Sequence, residues 1–436
     1  MTYQQTIDYL FTTLPMYSRI GSAAFKKDLT NIIALCEYLD NPQLQFRSIH
    51  IAGTNGKGSV SHMLSAVMQT AGYKTGLYTS PHLHDFRERI RINGKMISEE
   101  EVVQLVAKIK PLIETIHPSF FEITVAMAFY FFAQQKIDIA IVEVGLGGRL
   151  DSTNIVVPEL SIITHIGWDH MNMLGNSLQE IATEKGGIIK PNVPVIIGEK
   201  NSDTISVFNE IATQKKASIY FAEDRFSIDD YQLHFNYLDA TVTDNEQKQT
   251  TIYRLDLPGL YQTKNIITVL QAIALLQQKG WHINDDIITT ALANVKKLTG
   301  LHGRWEVIHE QPTIVMEVAH NEDGIKQMTA HLQQLSYHQL HIIFGMVKDK
   351  PADHVLKLLP QNAHYYFTEA HIPRALAAVI LQQEALNYNL NGHIYPDVNT
   401  ALQQAIRTAD KNDLIIVCGS IFLVAEVDSE AVELES

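Results

Sequence analysis

Residues 53–59 read Gly53-Thr54-Asn55-Gly56-Lys57-Gly58-Ser59, three glycines with one cation and the hydroxyls of Thr54 and Ser59. Glycines let backbone N–H groups turn toward an anion, a lysine neutralises phosphate, and a serine hydroxyl suits Mg²⁺. The common nucleotide loop is G-x-x-x-x-G-K-[ST]. Here Ile51 stands where its first glycine belongs, and Gly58 delays the hydroxyl to Ser59. Two readings stay open: a phosphate loop of unusual spacing, or a glycine-rich turn without a ligand.

Four further clusters carry chemistry. Glu143 ends an apolar run in IVEVGLGGRLDSTN. A buried carboxylate needs compensation, which Mg²⁺ or the next turn can supply. Asp169 and His170 follow another apolar run in THIGWDHMNMLG, as ligands or as structural polar groups. Lys185, in IATEKGGIIKP, precedes two glycines; taken alone it reads as an exposed lysine at a helix C-terminus. Arg304 in GLHGRWEV is either a phosphate-binding guanidinium or the partner of a surface acid. Glu317, His320 and Asn321 lie together in VMEVAHNEDG.

The elements that must position these groups alternate. RSIHIAG, KTGLYTS, IDIAIVEVG and ELSIITHIG read as short strands. Apolar, β-branched runs of this kind suit a buried parallel sheet. Helical patterns occupy 25–39, 59–72, 99–116 and 262–279, and Ser98 offers an N-cap to the third. Residues 217–257 change to short alternating segments, expected as a small β insertion. From about residue 298 the pattern restarts with PTIVMEV, LHIIFGM, AHYYFTE, GHIYP and DLIIVCGS. The expected architecture is α/β in two domains. A P-loop ATPase-like, mostly parallel sheet domain spans 1–297, and a Rossmann-like α/β domain spans 298–436.

Composition narrows the function. The 436 residues carry a net charge of −14, which argues against general nucleic-acid binding. No apolar run approaches the ~18 residues of a membrane span, and the N-terminus lacks a signal-peptide pattern. The two cysteines, Cys36 and Cys418, form no C-x-x-C motif. A soluble cytoplasmic protein, expected as a monomer, follows.

Taken together, the motifs resemble the folylpolyglutamate synthase and dihydrofolate synthase enzymes of the Mur ligase superfamily. The likeness runs in family order through HIAGTNGKGSV, TSPHL with ERIRING, FFEIT, VEVGLGGRLDSTN, THIGWDHMNMLG, EKGGIIKP, HGRWEV, EVAHN and VCGS. It identifies GTNGKGS as this family's own phosphate loop. The resemblance implies an amide ligase. ATP phosphorylates a carboxylate, and the amine of L-glutamate attacks the acyl phosphate. The carboxylate belongs to a folate's last glutamate or to dihydropteroate.

By the same resemblance, Gly53 to Ser59 and Lys57 hold ATP phosphates. Ser59, Ser80, Glu143, His170 and a carbamylated Lys185 attend two Mg²⁺ ions. Asn265, Arg304, Glu317 and His320 contact the nucleotide, and Lys57, Lys185, His170 and Arg304 are the catalytic set. Contacts from both domains imply closure on ATP. Four departures stand out: Glu317 where the family has Asp, His320-Asn321-Glu322 where HNP is usual, HGR where PGR is usual, and EKGG where EKAG is usual. The alternatives are a synthase with folylpolyglutamate activity only, a Mur-type ligase for a cell-wall precursor, a P-loop ATPase or kinase, and a nucleotide-binding module without catalysis.

Overall fold

Strand β1 (Arg47–Ala52) has five buried residues in a row, and β5 (Ile139–Glu143) and β6 (Leu160–Ile163) are buried throughout. Continuous apolar burial is what central parallel strands require, because helices cover both faces. The computed structural model describes residues 1–16, 19, 21 and 28–429. In it, β1 pairs in parallel with β5 on one side and β6 on the other.

The remaining strands of this sheet are β2 (Thr75–Tyr78), β3 (Ile90–Ile92), β4 (Lys95–Met96), β7 (Val195–Ile197) and β8 (Ile219–Phe221). The sheet order is β4-β3-β2-β5-β1-β6-β7-β8. Among its described strands β3 alone runs against the others, pairing antiparallel with β2 and β4. This is the mostly parallel α/β sheet that the alternating pattern predicts. One difference concerns the insert. Ile219–Phe221 pairs with β7, so it closes the main sheet. The insert is the three-stranded sheet of β9 (Phe226–Leu233), β10 (Leu238–Asp244) and β11 (Gln249–Leu255), in the order β11-β10-β9.

Helices pack on the sheet as their sequences dictate. Helix Glu99–Ile116 starts with a capping box in which Ser98 and Glu101 satisfy each other's N–H groups. Helix Phe120–Gln134 is apolar on nearly every side and is buried accordingly, joining Ile109, Tyr78 and Val142 in one core. Helix Lys57–Thr70 is buried from Gly58 to Met68. The expected helix from Phe25 is observed over Thr30–Tyr38; residues 25–27 lie outside the described residues. The chain end from residue 430, where fraying is expected, also lies outside them.

The chain divides into two units, the first comprising 1–231, 239–255 and 262–301. The second takes 232–238, 256–261 and the chain from His302. Residues 298–301 stay with the first because its side chains grip them. Thr299 Oγ1 lies 2.8 Å from His62 Nδ1, and Arg91 Nη2 donates to the Gly300 carbonyl at 3.3 Å.

The second unit has a six-stranded sheet. Its strands are β12 (Glu306–Glu310), β13 (Thr313–Met316), β14 (Leu340–Phe344), β15 (His364–Phe367), β16 (Gly392–Ile394) and β17 (Leu414–Cys418). Their order is β12-β13-β17-β14-β15-β16, and only β12 is antiparallel.

Candidate active site

Ligands of open α/β sheets bind beyond the C-terminal ends of the strands, where the connections diverge. In the first unit that edge is formed by β5, β1 and β6. Ile51 lies level with Glu143, and Ala52 with Ile163. The loop from Gly53 to Gly56 therefore starts beside Glu143 and runs along the segment after β6. Thr54 N–H donates to the His165 carbonyl at 2.7 Å, and Thr164 Oγ1 donates to the Asn55 carbonyl at 2.6 Å.

The glycines are required by space. A Cβ on Gly53 would stand 2.0 Å from Thr164 Oγ1, and one on Gly56 would stand 2.5 Å from Asn265 Oδ1. Gly56 also has φ +87°, which L side chains disfavour. It is the N-cap of helix Lys57–Thr70, and no side chain caps that end. Uncapped N–H groups and the positive end of the helix dipole suit an anion.

Lys57 folds over this loop, donating to the carbonyls of Gly53 at 3.0 Å and Thr54 at 3.2 Å. Ser59, buried, accepts from Gln262 Nε2 at 3.1 Å. Gln262 in turn accepts from Asn265 Nδ2 at 2.7 Å. Asn265 thus backs the glycine loop from helix Gln262–Gln278. Two supports were missed from sequence. Gln262 sits one helical turn before Asn265, on the same face, and Thr164 is the first residue past β6. Those positions are the signals that point to them.

Glu143 is 4% exposed, and its Oε2 accepts the Ser80 N–H at 3.1 Å. His170 is half-buried at φ +50°, with Nε2 3.8 Å from Asp169 Oδ2. Lys185 is not the exposed lysine that its helix end alone suggests. It is 5% exposed, and Nζ donates to the Gly53 carbonyl at 2.9 Å. Burial, then the nearby Lys57 charge, lowers its pKa to about 7 against the pull of Asp169 and Asp151. The reason lies in the two glycine pairs. A Cβ on Gly148 would stand 2.7 Å from the Glu184 carbonyl oxygen, and one on Gly187 would stand 2.4 Å from Arg149 Cα. The GLGGRLDSTN loop therefore lies flat on the EKGG turn. Arg149 N–H donates to the Glu184 carbonyl at 2.8 Å, and Asn154 Nδ2 donates to the Gly187 carbonyl at 3.0 Å.

Asp151 pins that loop from beneath, accepting from Leu146 N–H at 2.8 Å and Thr153 N–H at 2.9 Å. Burial raises its pKa, opposed by these bonds.

Arg304, Glu317 and His320 belong to the second unit. Glu317, 2% exposed, accepts from Tyr261 Oη at 2.9 Å, from Trp305 N–H at 3.0 Å and from Ala319 N–H at 3.0 Å. Burial raises its pKa, and the Arg304 guanidinium opposes this. The carboxylate on which the Arg304 charge acts is thus a buried one. His320 Nδ1 lies 2.8 Å from the Val318 carbonyl, and Asn321 caps helix Glu322–Leu332.

The first unit thus gathers Lys57, Ser59, Glu143 and Lys185 around one uncapped helix start. Residues 51–273 match the Mur ligase middle domain, and residues 303–421 match the Mur ligase glutamate ligase domain. The chain is 33% identical over 417 residues to a dihydrofolate synthase/folylpolyglutamate synthase of Bacillus subtilis, covering 92% of this chain and 94% of that one. The chain belongs to the dihydrofolate synthase/folylpolyglutamate synthase family of Mur ligases.

Other members of this synthase family agree. A folylpolyglutamate synthase of Lacticaseibacillus casei is 31% identical over 440 residues, covering 98% of both chains. Escherichia coli FolC in complex with DHPP and ADP superposes with TM-score 0.85 at 28% identity, covering 100% of this chain and 98% of that one. The Mycobacterium tuberculosis folylpolyglutamate synthase complexed with ADP gives TM-score 0.87 at 28% identity, covering 99% and 98%.

Proposed function

We propose that this protein is an ATP-dependent ligase that joins L-glutamate to a pteroyl acid, either a folate or dihydropteroate. The observation that carries the reading is Lys185, a buried amine against a phosphate loop in a Mur ligase fold. Family membership supplies the substrate class.

The chemistry follows from the groups present. The helix N–H groups and Lys57 hold the ATP phosphates in place. The γ-phosphoryl group passes to a carboxylate oxygen, giving an acyl phosphate and ADP. The amine of glutamate then forms the C–N bond, the C–O bond to phosphate breaks, and the ammonium proton is lost. Holding two anionic reactants together is the main barrier, and placed positive charge lowers it. Asn265 stiffens the loop through Gln262. From the second unit, Arg304 and His320 are proposed contacts of the nucleotide. Glu317 serves them by fastening the Arg304–Trp305 turn.

The donors suit Mg²⁺, which prefers oxygen. Ser59, Ser80, Glu143 and His170 would attend two ions. An ammonium would be repelled there. At a pKa of about 7, Lys185 is an uncharged amine for much of the time at neutral pH, and CO₂ adds to the uncharged form. The resulting carbamate would contribute oxygen ligands. Bound Mg²⁺ offsets phosphate charge during transfer. No helix among the described residues is long and apolar enough to cross a membrane, and Cys36 and Cys418 are buried and unpaired. Both facts support the proposed cytoplasmic location; a monomer is proposed alongside.

The test is ADP release with tetrahydrofolate or dihydropteroate, with and without L-glutamate. Release that needs ATP, pteroyl acid and glutamate together supports the ligase. Rapid release from ATP alone supports an ATPase instead. EDTA should abolish turnover and added Mg²⁺ restore it.

A further inference from the structure

The loop after β2 carries a histidine that the ligase reading leaves without a task. Ser80 N–H already serves Glu143. Two residues on, His82 Nδ1 receives a hydrogen bond from Arg89 Nε at 2.7 Å. A guanidinium has donors only. Nδ1 must therefore keep its lone pair, and the ring proton must sit on Nε2. Arg89 is 8% exposed, with its guanidinium carbon 5.2 Å from the centre of the Phe120 ring. The tautomer is thus fixed by a charged group that is itself immobilised.

Nothing among the described residues accepts from Nε2, and the histidine is half-buried. Nor does the loop need this histidine to keep its shape. The Glu88 carboxylate already takes the N–H groups of Leu83 at 2.8 Å, His84 at 3.0 Å and Asp85 at 2.9 Å. The Arg89 bond sets only the ring.

The surroundings indicate what the donor meets. The His82 ring lies 6.1 Å from Phe11 and 6.3 Å from Phe86, and Phe11 stacks on Phe120 at 5.4 Å. One wall is therefore aromatic. Behind the imidazole lies a guanidinium, whose charge strengthens the N–H toward an anionic oxygen.

We propose that His82 is a substrate-binding residue whose Nε2–H donates to a carboxylate oxygen of the acyl substrate, with Arg89 as the positioning residue that fixes this donor. The inference rests on the ligase reading, in which the acyl substrate is a carboxylate on a flat aromatic body. That combination matches a single donor set in an aromatic wall.

Steady-state kinetics on His82→Ala, His82→Gln and Arg89→Met test it, with tetrahydrofolate and dihydropteroate as acyl substrates. A lost hydrogen bond to a charged group predicts that His82→Ala raises KM for the acyl substrate by about 10- to 100-fold. KM for ATP should stay near the wild-type value. The Gln side chain can place its NH₂ where Nε2 stood, so His82→Gln should recover most of the loss. Arg89→Met should fall between wild type and His82→Ala. If that variant melts early, the two His82 variants decide alone. An unchanged acyl KM in His82→Ala would overturn the proposal. So would an equal rise in KM for ATP, or a His82→Gln variant as poor as His82→Ala. Wild-type protein without acyl-dependent turnover would remove the ligase reading as well, whereas normal wild-type turnover with an unaffected His82→Ala removes this inference alone.

Discussion

Replacing Lys185 with methionine should change how stability responds to pH. In the folded protein, burial and the Lys57 charge lower the Lys185 pKa to about 7, from an ordinary value of 10.5. Between those two values the unfolded chain binds a proton that the folded chain does not. Stability therefore rises with pH across that window, and it gains nothing from this residue below about pH 7. The slope approaches about 1.4 kcal/mol per pH unit. From pH 7 to pH 9 the residue should add about 2 kcal/mol, the early part of the window being only half effective. The assay is urea unfolding at both pH values in buffer free of metal and CO₂. Wild type should gain about 2 kcal/mol more than Lys185→Met between them. Equal gains would mean that Lys185 stays charged when buried, and the case for its reaction with CO₂ would fail. The functional counterpart uses CO₂-depleted buffer. Turnover should drop there and recover with bicarbonate, and Lys185→Ala should be inactive in both.

Other outcomes follow from the same geometry. Gly53→Ala puts a methyl group 2.0 Å from Thr164 Oγ1; it should cost about 1–3 kcal/mol of stability, seen as a lower melting temperature, and raise KM for ATP. Gln262→Leu strands the Ser59 hydroxyl and Asn265 Nδ2. The urea midpoint should fall by the equivalent of about 2 kcal/mol, and ATP binding should weaken in calorimetry. Glu317→Ala leaves Tyr261 Oη and two N–H groups without their acceptor. A loss of about 3 kcal/mol is expected, and Glu317→Gln should recover part of it, measured by chemical unfolding.

The parts legible in the sequence are those with local causes. Ser98 with Glu101 marks the start of helix Glu99–Ile116, because a capping box involves only neighbours in the chain. The runs in β1, β5 and β6 are readable because burial on both faces leaves no polar alternation. Partnership is not local. Ile219–Phe221 has the same texture as the insert beside it, and only its pairing with β7 assigns it to the main sheet. The antiparallel β12 shows the same limit, since its residues are half-exposed and take their role from β13. In the site, the proposed phosphate-loop chemistry is legible in Lys57 and the glycines around it. The burial of Lys185 is invisible locally, because the loop that covers it comes from 145–154. Gln262 and Thr164 escape notice for a related reason, being ordinary polar residues until the strand edge and the helix bring them together.

The tight glycine contacts bear on how this chain can diverge. Gly148 and Gly187 each fill a space bounded by the backbone of the opposing turn, at Glu184–Lys185 and at Arg149. Main-chain atoms cannot be trimmed by substitution, so no single exchange across the contact makes room for a methyl group at either site. Gly53 differs, because its nearest obstacle is a side-chain oxygen. Drift is therefore blocked at Gly148 and Gly187 unless both turns move as a pair, whereas at Gly53 a smaller neighbour at 164 would lift one obstacle and still leave a φ of +149° that side chains disfavour.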